Sequence, residues 1–237
     1  MNWQFELAVV TGASRGIGKA LAQGLADRGA AVAVCARDAV AIERFASELR
    51  AAGARAFGAR CDVRDEAEVA EFVARVQREM GAPTIVVNNA GIARFAPVTE
   101  MAVDQWDEMM ATNLRGMFLV TRAFLPPMLA HGHGAVVNIA SLAGRNALAN
   151  GAAYSASKHG VLGFSKSLLM EVRKRDVRVI AVCPGSVDTG FGDGGLPNRP
   201  SRDRILTAAD VASVVLDTLE LDERATVSEL DIRPTNP

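Results

Sequence analysis

Two hydrophobic rhythms alternate along the chain. Short, continuous apolar runs occur at residues 5–11, 31–36, 55–60, 84–88, 135–140 and 177–183. Runs of this length, without polar alternation, predict strands buried on both faces. Between them lie longer stretches with apolar residues every three or four positions, at 19–29, 38–52, 66–80, 104–125 and 152–174. Their spacing predicts amphipathic helices. Gly53 stops the second helix, Gly81 and Pro83 the third, and Pro126-Pro127 the fourth. Asp65 and Glu68 fit a capping box for the third helix, and residues 207–210 cap a last one. A final strand is expected within 225–232, after an irregular Gly-, Pro-, Asn- and Arg-rich segment at 188–204 that is too polar to be core.

Strands alternating with helices of this length build βαβ units. The fold class expected is α/β, a doubly wound parallel sheet with helices on both faces. No repeat or linker divides the chain, so residues 1–237 read as one domain, with a short irregular segment at about 188–206. In such sheets, ligands bind beyond the carboxyl ends of the strands. The chemically suggestive residues all fall there: the turn after strand one, Asn88 to Gly91 after strand four, Ser141 after strand five, and Pro184-Gly185 after strand six.

Composition narrows the classes without choosing among them. Of 237 residues, 49% are apolar and 22% charged, which is globular. A net charge of −1 gives no electrostatic reason to expect nucleic acid or an anionic membrane as partner. Cys35, Cys61 and Cys183 have no metal-ligand spacing and read as small buried hydrophobes of a reduced protein. The sequence starts with Met1-Asn-Trp-Gln and enters a strand at once, with no leader pattern and no run approaching a spanning helix. A cytoplasmic protein without metal is expected. His131 and His133 read as a solvated turn, and Arg173-Lys-Arg175 as cations complementing a helix C-terminus.

The turn Gly12-Ala-Ser14-Arg15-Gly16-Ile17-Gly18, between a strand and a helix, is an anion site. Backbone N–H groups and the helix dipole favour a pyrophosphate there, and the glycines allow a tight turn and close approach. The spacing is G-x-x-x-G-x-G, not the common dinucleotide G-x-G-x-x-G. Tyr154 and Lys158 lie four apart in a predicted helix and share a face. An ammonium beside a phenol favours the phenolate, so Lys158 is expected to lower the Tyr154 pKa and ready it for proton transfer.

Taken together, the glycine turn, Asn88-Asn-Ala90-Gly91, Asn113, Ser141 and Tyr154-x-x-x-Lys158 resemble the short-chain dehydrogenase/reductase family over roughly residues 5–189. The resemblance implies a Rossmann-type fold of about seven strands, in the order 3-2-1-4-5-6-7. It implies Tyr154 as acid/base, Lys158 as its tuner and ribose anchor, Ser141 as holder of the substrate carbonyl, and Asn113 as organiser of a proton relay. It also implies cofactor contacts at Gly12, Ser14, Arg15, Gly16, Ile17, Gly18, Asp62, Val63, Asn88, Ala90, Gly91, Pro184, Gly185 and Thr189. The acidic residue of NAD-dependent members would fall at Ala36. Arg37 follows it, with Arg15 nearby, and two guanidiniums suit a 2′-phosphate, so NADP(H) is expected over NAD(H). Asp38 reads as a helix cap.

The resulting expectation is a carbonyl reductase/alcohol dehydrogenase, either homodimer or homotetramer, with a small-molecule carbonyl or alcohol as substrate. Helices 104–125 and 152–174 would pair across its two-fold interface. Two other readings stand beside it: a 3-oxoacyl-(acyl carrier protein) reductase, and a nucleotide sensor without turnover. Substrate choice would lie with Ile92, Arg94 and Phe95, with residues 142–148, and with residues 186–195.

Overall fold

The computed structural model describes residues 2–191, 204–222 and 224–235. Its centre is a parallel sheet whose strands are β1 (Leu7–Thr11), β2 (Ala31–Ala36), β3 (Ala56–Arg60), β4 (Ile85–Asn88), β5 (Gly134–Ile139) and β6 (Val177–Pro184), with β9 (Glu229–Ile232) at one edge. Two short strands, β7 (Val187–Asp188) and β8 (Leu206–Thr207), pair separately. The sheet order is β3-β2-β1-β4-β5-β6-β9, so the expected seven-strand order holds with β9 as the last strand.

Valine and alanine dominate these strands, and β1, β4, β5 and β6 are buried along their whole lengths. Both faces must therefore be covered. On one side lie α1 (Gly16–Asp27), α2 (Ala39–Ala51) and α7 (Ala208–Glu220), which bury Leu21, Leu25, Ile42, Phe45, Val215 and Leu219 against Val10, Val34 and Val137. On the other lie α3 (Glu66–Glu79), α5 (Gly116–His131) and α6 (Ala152–Val172), whose Phe72, Val76, Phe124, Met128 and Leu168 pack on Val9, Val86 and Val136. Burying each such side chain contributes about 1.5–3 kcal/mol.

Several boundaries differ from the sequence reading. α1 begins inside the glycine turn rather than after it, because Gly16 and Gly18 form its first turn. The predicted helix at 104–125 is two helices, α4 (Val103–Met110) and α5, joined by a π-turn (Ala111–Arg115). Pro126 and Pro127 do not end α5 but lie within it. Each removes a helix hydrogen bond, but Phe124 and Met128 on either side are fully buried, and their packing carries the helix on to His131. Asp65 caps α3 from Ala67 and Glu68 N–H, but Glu68 does not close the box; its carboxylate accepts from Asp62 N–H and pairs with Arg60. The complete box is at Thr207 and Asp210. Asp38 caps α2 as read.

The His131–His133 turn is not simply solvated. His131 Nδ1 bonds the Pro127 carbonyl, and His133 Nε2 lies 3.1 Å from the buried Glu6 carboxylate, a partner 127 residues away that local reading could not supply. All three cysteines are buried. No described helix is long and apolar enough to cross a membrane. Of the polar segment at 188–204, residues 192–203 lie outside the described residues.

A ladder of buried amides runs beneath the sheet's carboxyl edge. Asn88 Nδ2 donates to Thr121 Oγ1 (2.9 Å) and Asn138 Oδ1 (2.8 Å), and Asn138 Nδ2 donates to Ser165 Oγ (2.9 Å).

Candidate active site

Every parallel strand ends on the same side, so the loops that follow them converge on one cavity of about 740 Å³. At one end is the turn after β1. Gly12 and Gly16 sit at φ +65° and +59°, where a side chain would be strained. A β-carbon on Gly12 would also come within 2.8 Å of the Ala90 Cα. Arg15 caps α1 with no side-chain bond to its first N–H groups, which leaves the helix N-terminus open towards the cavity. The turn is braced from below by Asn89, whose Nδ2 donates to Thr11 O (2.9 Å) and Gly12 O (3.1 Å). Thr11 Oγ1 in turn accepts the N–H groups of Asn89 and Ala90.

The ends of β2 and β3 bring Arg37, Asp62 and Val63 to the wall. Burial pushes the Asp62 carboxyl up, but hydrogen bonds and charge from Arg64, with the charge of Arg37, outweigh it and hold the group below its usual range. Ala90, Gly91, Pro184, Gly185 and Thr189 line the middle of the cavity, as do Ser14, Gly16 and Ile17 at the turn.

At the far end stand Ser141, Tyr154 and Lys158. Tyr154 is 8% and Lys158 4% exposed. α6 starts at Ala152, so both side chains project from its first turns, four residues apart, onto the end of β5. Lys158 Nζ donates to the Ile139 carbonyl at 2.8 Å and lies 5.9 Å from the centre of the Tyr154 ring. Ser141 Oγ accepts from Ala143 N–H. Burial pushes the Tyr154 phenol up to about 12, against a hydrogen bond from Ser141 that pulls it down. Burial also brings Lys158 down to about 8. The expected lowering of the phenol by the ammonium is therefore not what the structure has. Both groups are so far from water that desolvation dominates, and the ammonium is turned to a carbonyl rather than to the phenol oxygen.

Three residues expected in the site lie behind its wall. Asn88 points the other way, into the amide ladder, because successive strand residues face opposite sides; Asn89 takes the position at the cavity. Gly18 packs against the Asn89 amide and the Gly12 carbonyl. Asn113, on the π-turn, exchanges hydrogen bonds with the Ile92 backbone (2.8 and 2.9 Å) and donates to Ser157 Oγ (3.0 Å). Its position opposite Gly91 is shared with Lys158: a β-carbon there would come 3.3 Å from Asn113 Oδ1 and 3.7 Å from Lys158 Nζ. Asn89 belongs to the motif Asn88-Asn-Ala90-Gly91, and strand alternation marks the two asparagines as facing opposite sides without telling which one meets the cavity.

Apolar and aromatic groups crowd the Tyr154 end of the cavity. Phe95 meets the Tyr154 ring edge-on at 5.7 Å and Phe191 lies 6.1 Å from it, with Ile92, Ala143 and Leu148 packed around. Arg94 and Arg145, the nearest other cations in sequence, are turned to carboxylates: Arg94 to Glu108, Arg145 to Glu229 and Asp231. Among the described residues no group of three or more His, Cys, Asp or Glu side chains is placed to hold a metal ion.

A parallel doubly wound sheet, a glycine turn with an open helix N-terminus after β1, and Ser141, Tyr154 and Lys158 gathered at the end of β5 define a Rossmann-type oxidoreductase. Residues 6–195 match the short chain dehydrogenase family model, and the chain belongs to that family. It is 39% identical to the 3-oxoacyl-(acyl-carrier-protein) reductase of Pseudomonas aeruginosa over 189 residues, 80% of this chain and 76% of that one. An alcohol dehydrogenase from the archaeon Thermococcus sibiricus, solved with 5-hydroxy-NADP, superposes with a TM-score of 0.90 at 33% identity, covering 97% of each chain. Actinorhodin polyketide ketoreductase with NADPH gives a TM-score of 0.90 at 35% identity, covering 98% of this chain and 97% of that one.

Proposed function

We propose that the protein is an NADP(H)-dependent carbonyl reductase/alcohol dehydrogenase acting on a small, uncharged and largely apolar carbonyl compound or its alcohol. One observation carries this reading: a single cavity joins the glycine turn and Arg37 at one end to Ser141, Tyr154 and Lys158 at the other.

The residues present fit a phosphorylated dinucleotide. The open N-terminus of α1 suits a pyrophosphate, Arg37 and Arg15 suit a 2′-phosphate, and the side-chain-less Gly91 leaves a cradle beside Lys158 and Asn113. Both solved relatives described above hold NADP-type dinucleotides. When bound, the dinucleotide supplies or accepts the hydride.

The chain's own groups handle the proton. A phenol with a pKa near 12 is protonated at neutral pH, as a proton donor to a developing alkoxide must be. Ser141 donates to the carbonyl oxygen and fixes it within reach of Tyr154. Lys158 supplies positive charge in a site of low polarity, where it acts on the phenolate formed after proton transfer more strongly than it would in water. Phe95 and Phe191 exclude water around the phenol. With Ile92 and Leu148 they offer the substrate an apolar wall.

A carrier-linked 3-oxoacyl substrate fits the same wall chemistry. The basic run Arg173–Arg175, however, lies at the start of β6, the sheet edge away from the cavity mouth, and Arg175 bonds the Leu129 carbonyl. Pairing of two copies through the α4–α5 and α6 region belongs to the same reading.

Tyr154→Phe should leave NADPH affinity within about twofold and lower carbonyl reduction by at least about a thousandfold. Retained turnover would remove Tyr154 as the acid. A matched pair of substrates, a 3-oxo ester and its free 3-oxo acid, tests the wall. The ester should show the higher kcat/KM by roughly tenfold or more, since a carboxylate would be buried without a partner. Equal values would refute the apolar assignment.

A further inference from the structure

The loops after β2, β3 and β4 each carry an arginine, and all three guanidiniums converge on one carboxylate. Arg64 Nη1 donates to Glu108 Oε1 at 3.1 Å, Arg37 Nη1 lies 3.5 Å from the same oxygen, and Arg94 Nη2 lies 3.7 Å from Oε2. Glu108 sits on α4, outside every motif quoted above, and has no part in the proton chemistry. The three cations are not equally held. Arg64 is also fastened to Asp62, through Nε to both carboxylate oxygens and through Nη2 at 2.6 Å. Arg37 has no ion pair with any other carboxylate among the described residues, and its side chain is 53% exposed.

We propose that Glu108 is a specificity-determining residue for the dinucleotide, its carboxylate competing with the 2′-phosphate for the Arg37 guanidinium. The inference rests on the NADP(H) reading and concerns how strong that preference is. Three guanidiniums against the carboxylates of Asp62 and Glu108 leave one net positive charge in the cluster. A phosphate monoester brings about −1.5 to −2. To meet it, Arg37 must leave Glu108, while Arg64 stays on Asp62 and keeps that carboxylate in place at the cavity wall. The phosphate also gains a like-charged neighbour in Glu108. Both effects weaken binding of the 2′-phosphorylated form, and neither touches a dinucleotide that ends in a 2′-hydroxyl. Glu108 thus moderates a preference that Arg37 creates.

The test compares NADPH and NADH affinities, by titration of nucleotide fluorescence, in the native protein and in Glu108→Gln, which keeps the shape and removes the charge. The Gln variant should bind NADPH about fivefold more tightly and NADH within about twofold of native, as expected for losing one repulsive charge and one competing, half-exposed ion pair. In Arg37→Gln/Glu108→Gln most of that gain should vanish relative to Arg37→Gln alone. Glu108→Asp, a second variant should the Gln protein fold poorly, should shift the same ratio in the same direction by less. An unchanged NADPH/NADH ratio, or weaker NADPH binding, overturns the inference; the latter would make Glu108 an aligner of Arg37. If the native protein binds both nucleotides alike, the NADP(H) reading fails. The Glu108 inference then stands only if the Gln variant acquires a preference for NADPH, and falls otherwise.

Discussion

Lys158 is a residue where the proposed chemistry and stability pull against each other. An amine brought from 10.5 down to about 8 by burial prefers the unfolded chain, in which it can be protonated in water. The linkage sign is fixed by that direction. Below pH 8 the folded protein carries the whole cost, and the cost fades as pH rises from 8 to 10.5, where both states hold a neutral amine. We therefore expect Lys158→Met to raise the unfolding free energy by about 2–3 kcal/mol at pH 7, the lost bond to Ile139 included, with the advantage gone near pH 10.5. Denaturant titrations at pH 7 and 10 measure it, and a variant less stable than native at pH 7 would contradict it. Carbonyl reduction by that variant should be lost. The sequence revealed the pairing of Tyr154 and Lys158 through its spacing, but not that burial would set both pKa values. Desolvation draws on Phe95 and Phe191 packed against the Tyr154 ring, and the Lys158 ammonium is fixed by the Ile139 carbonyl; these come from three other loops and strands.

Among elements, those with a strong local signal were legible. The buried strands announced themselves as apolar runs, and Asp38 and Thr207 marked helix starts through side chains that bond the first turn. Thr207→Ala should cost about 1 kcal/mol by opening the capping box of α7, read as a lower denaturation midpoint with unchanged nucleotide affinity. Where distant packing decides, local reading failed. Pro126 and Pro127 look like a stop, yet α5 continues through them because Phe124 and Met128 anchor it in the core. The π-turn at Ala111–Arg115, which aims Asn113 at the backbone of Ile92, has no local marker at all. The Glu108 cluster was equally hidden: its members lie 14, 44 and 71 positions from Glu108 in sequence, and only the shared end of the sheet brings them together.

For the molecule as a whole, the sheet order was implied by the motif set, while the partners of its buried polar groups were not. A consequence follows from the amide ladder. β4 and β5 are built almost wholly from Val, Ile and Ala, and pair as Val86↔Val136, Val87↔Val137 and Asn88↔Asn138. Sliding one strand by two residues would keep every side chain on its own face, so hydrophobic burial discriminates weakly against the slip. The amides do discriminate. A two-residue shift sets one of Asn88 and Asn138 opposite valine and the other opposite alanine, and strands their hydrogen-bonding groups in the core. Replacing either by leucine should cost about 2–4 kcal/mol, and replacing both distinctly less than the sum, since no amide is then left without its partner. The double variant is the more telling protein. Additive losses in equilibrium unfolding, with a single set of sharp amide resonances, would mean that the ladder merely adds stability. A stable sheet with duplicated resonances for β4 and β5 would mean that two side-chain amides act as the alignment pins of a parallel sheet, holding the loops that line the cavity in step with one another.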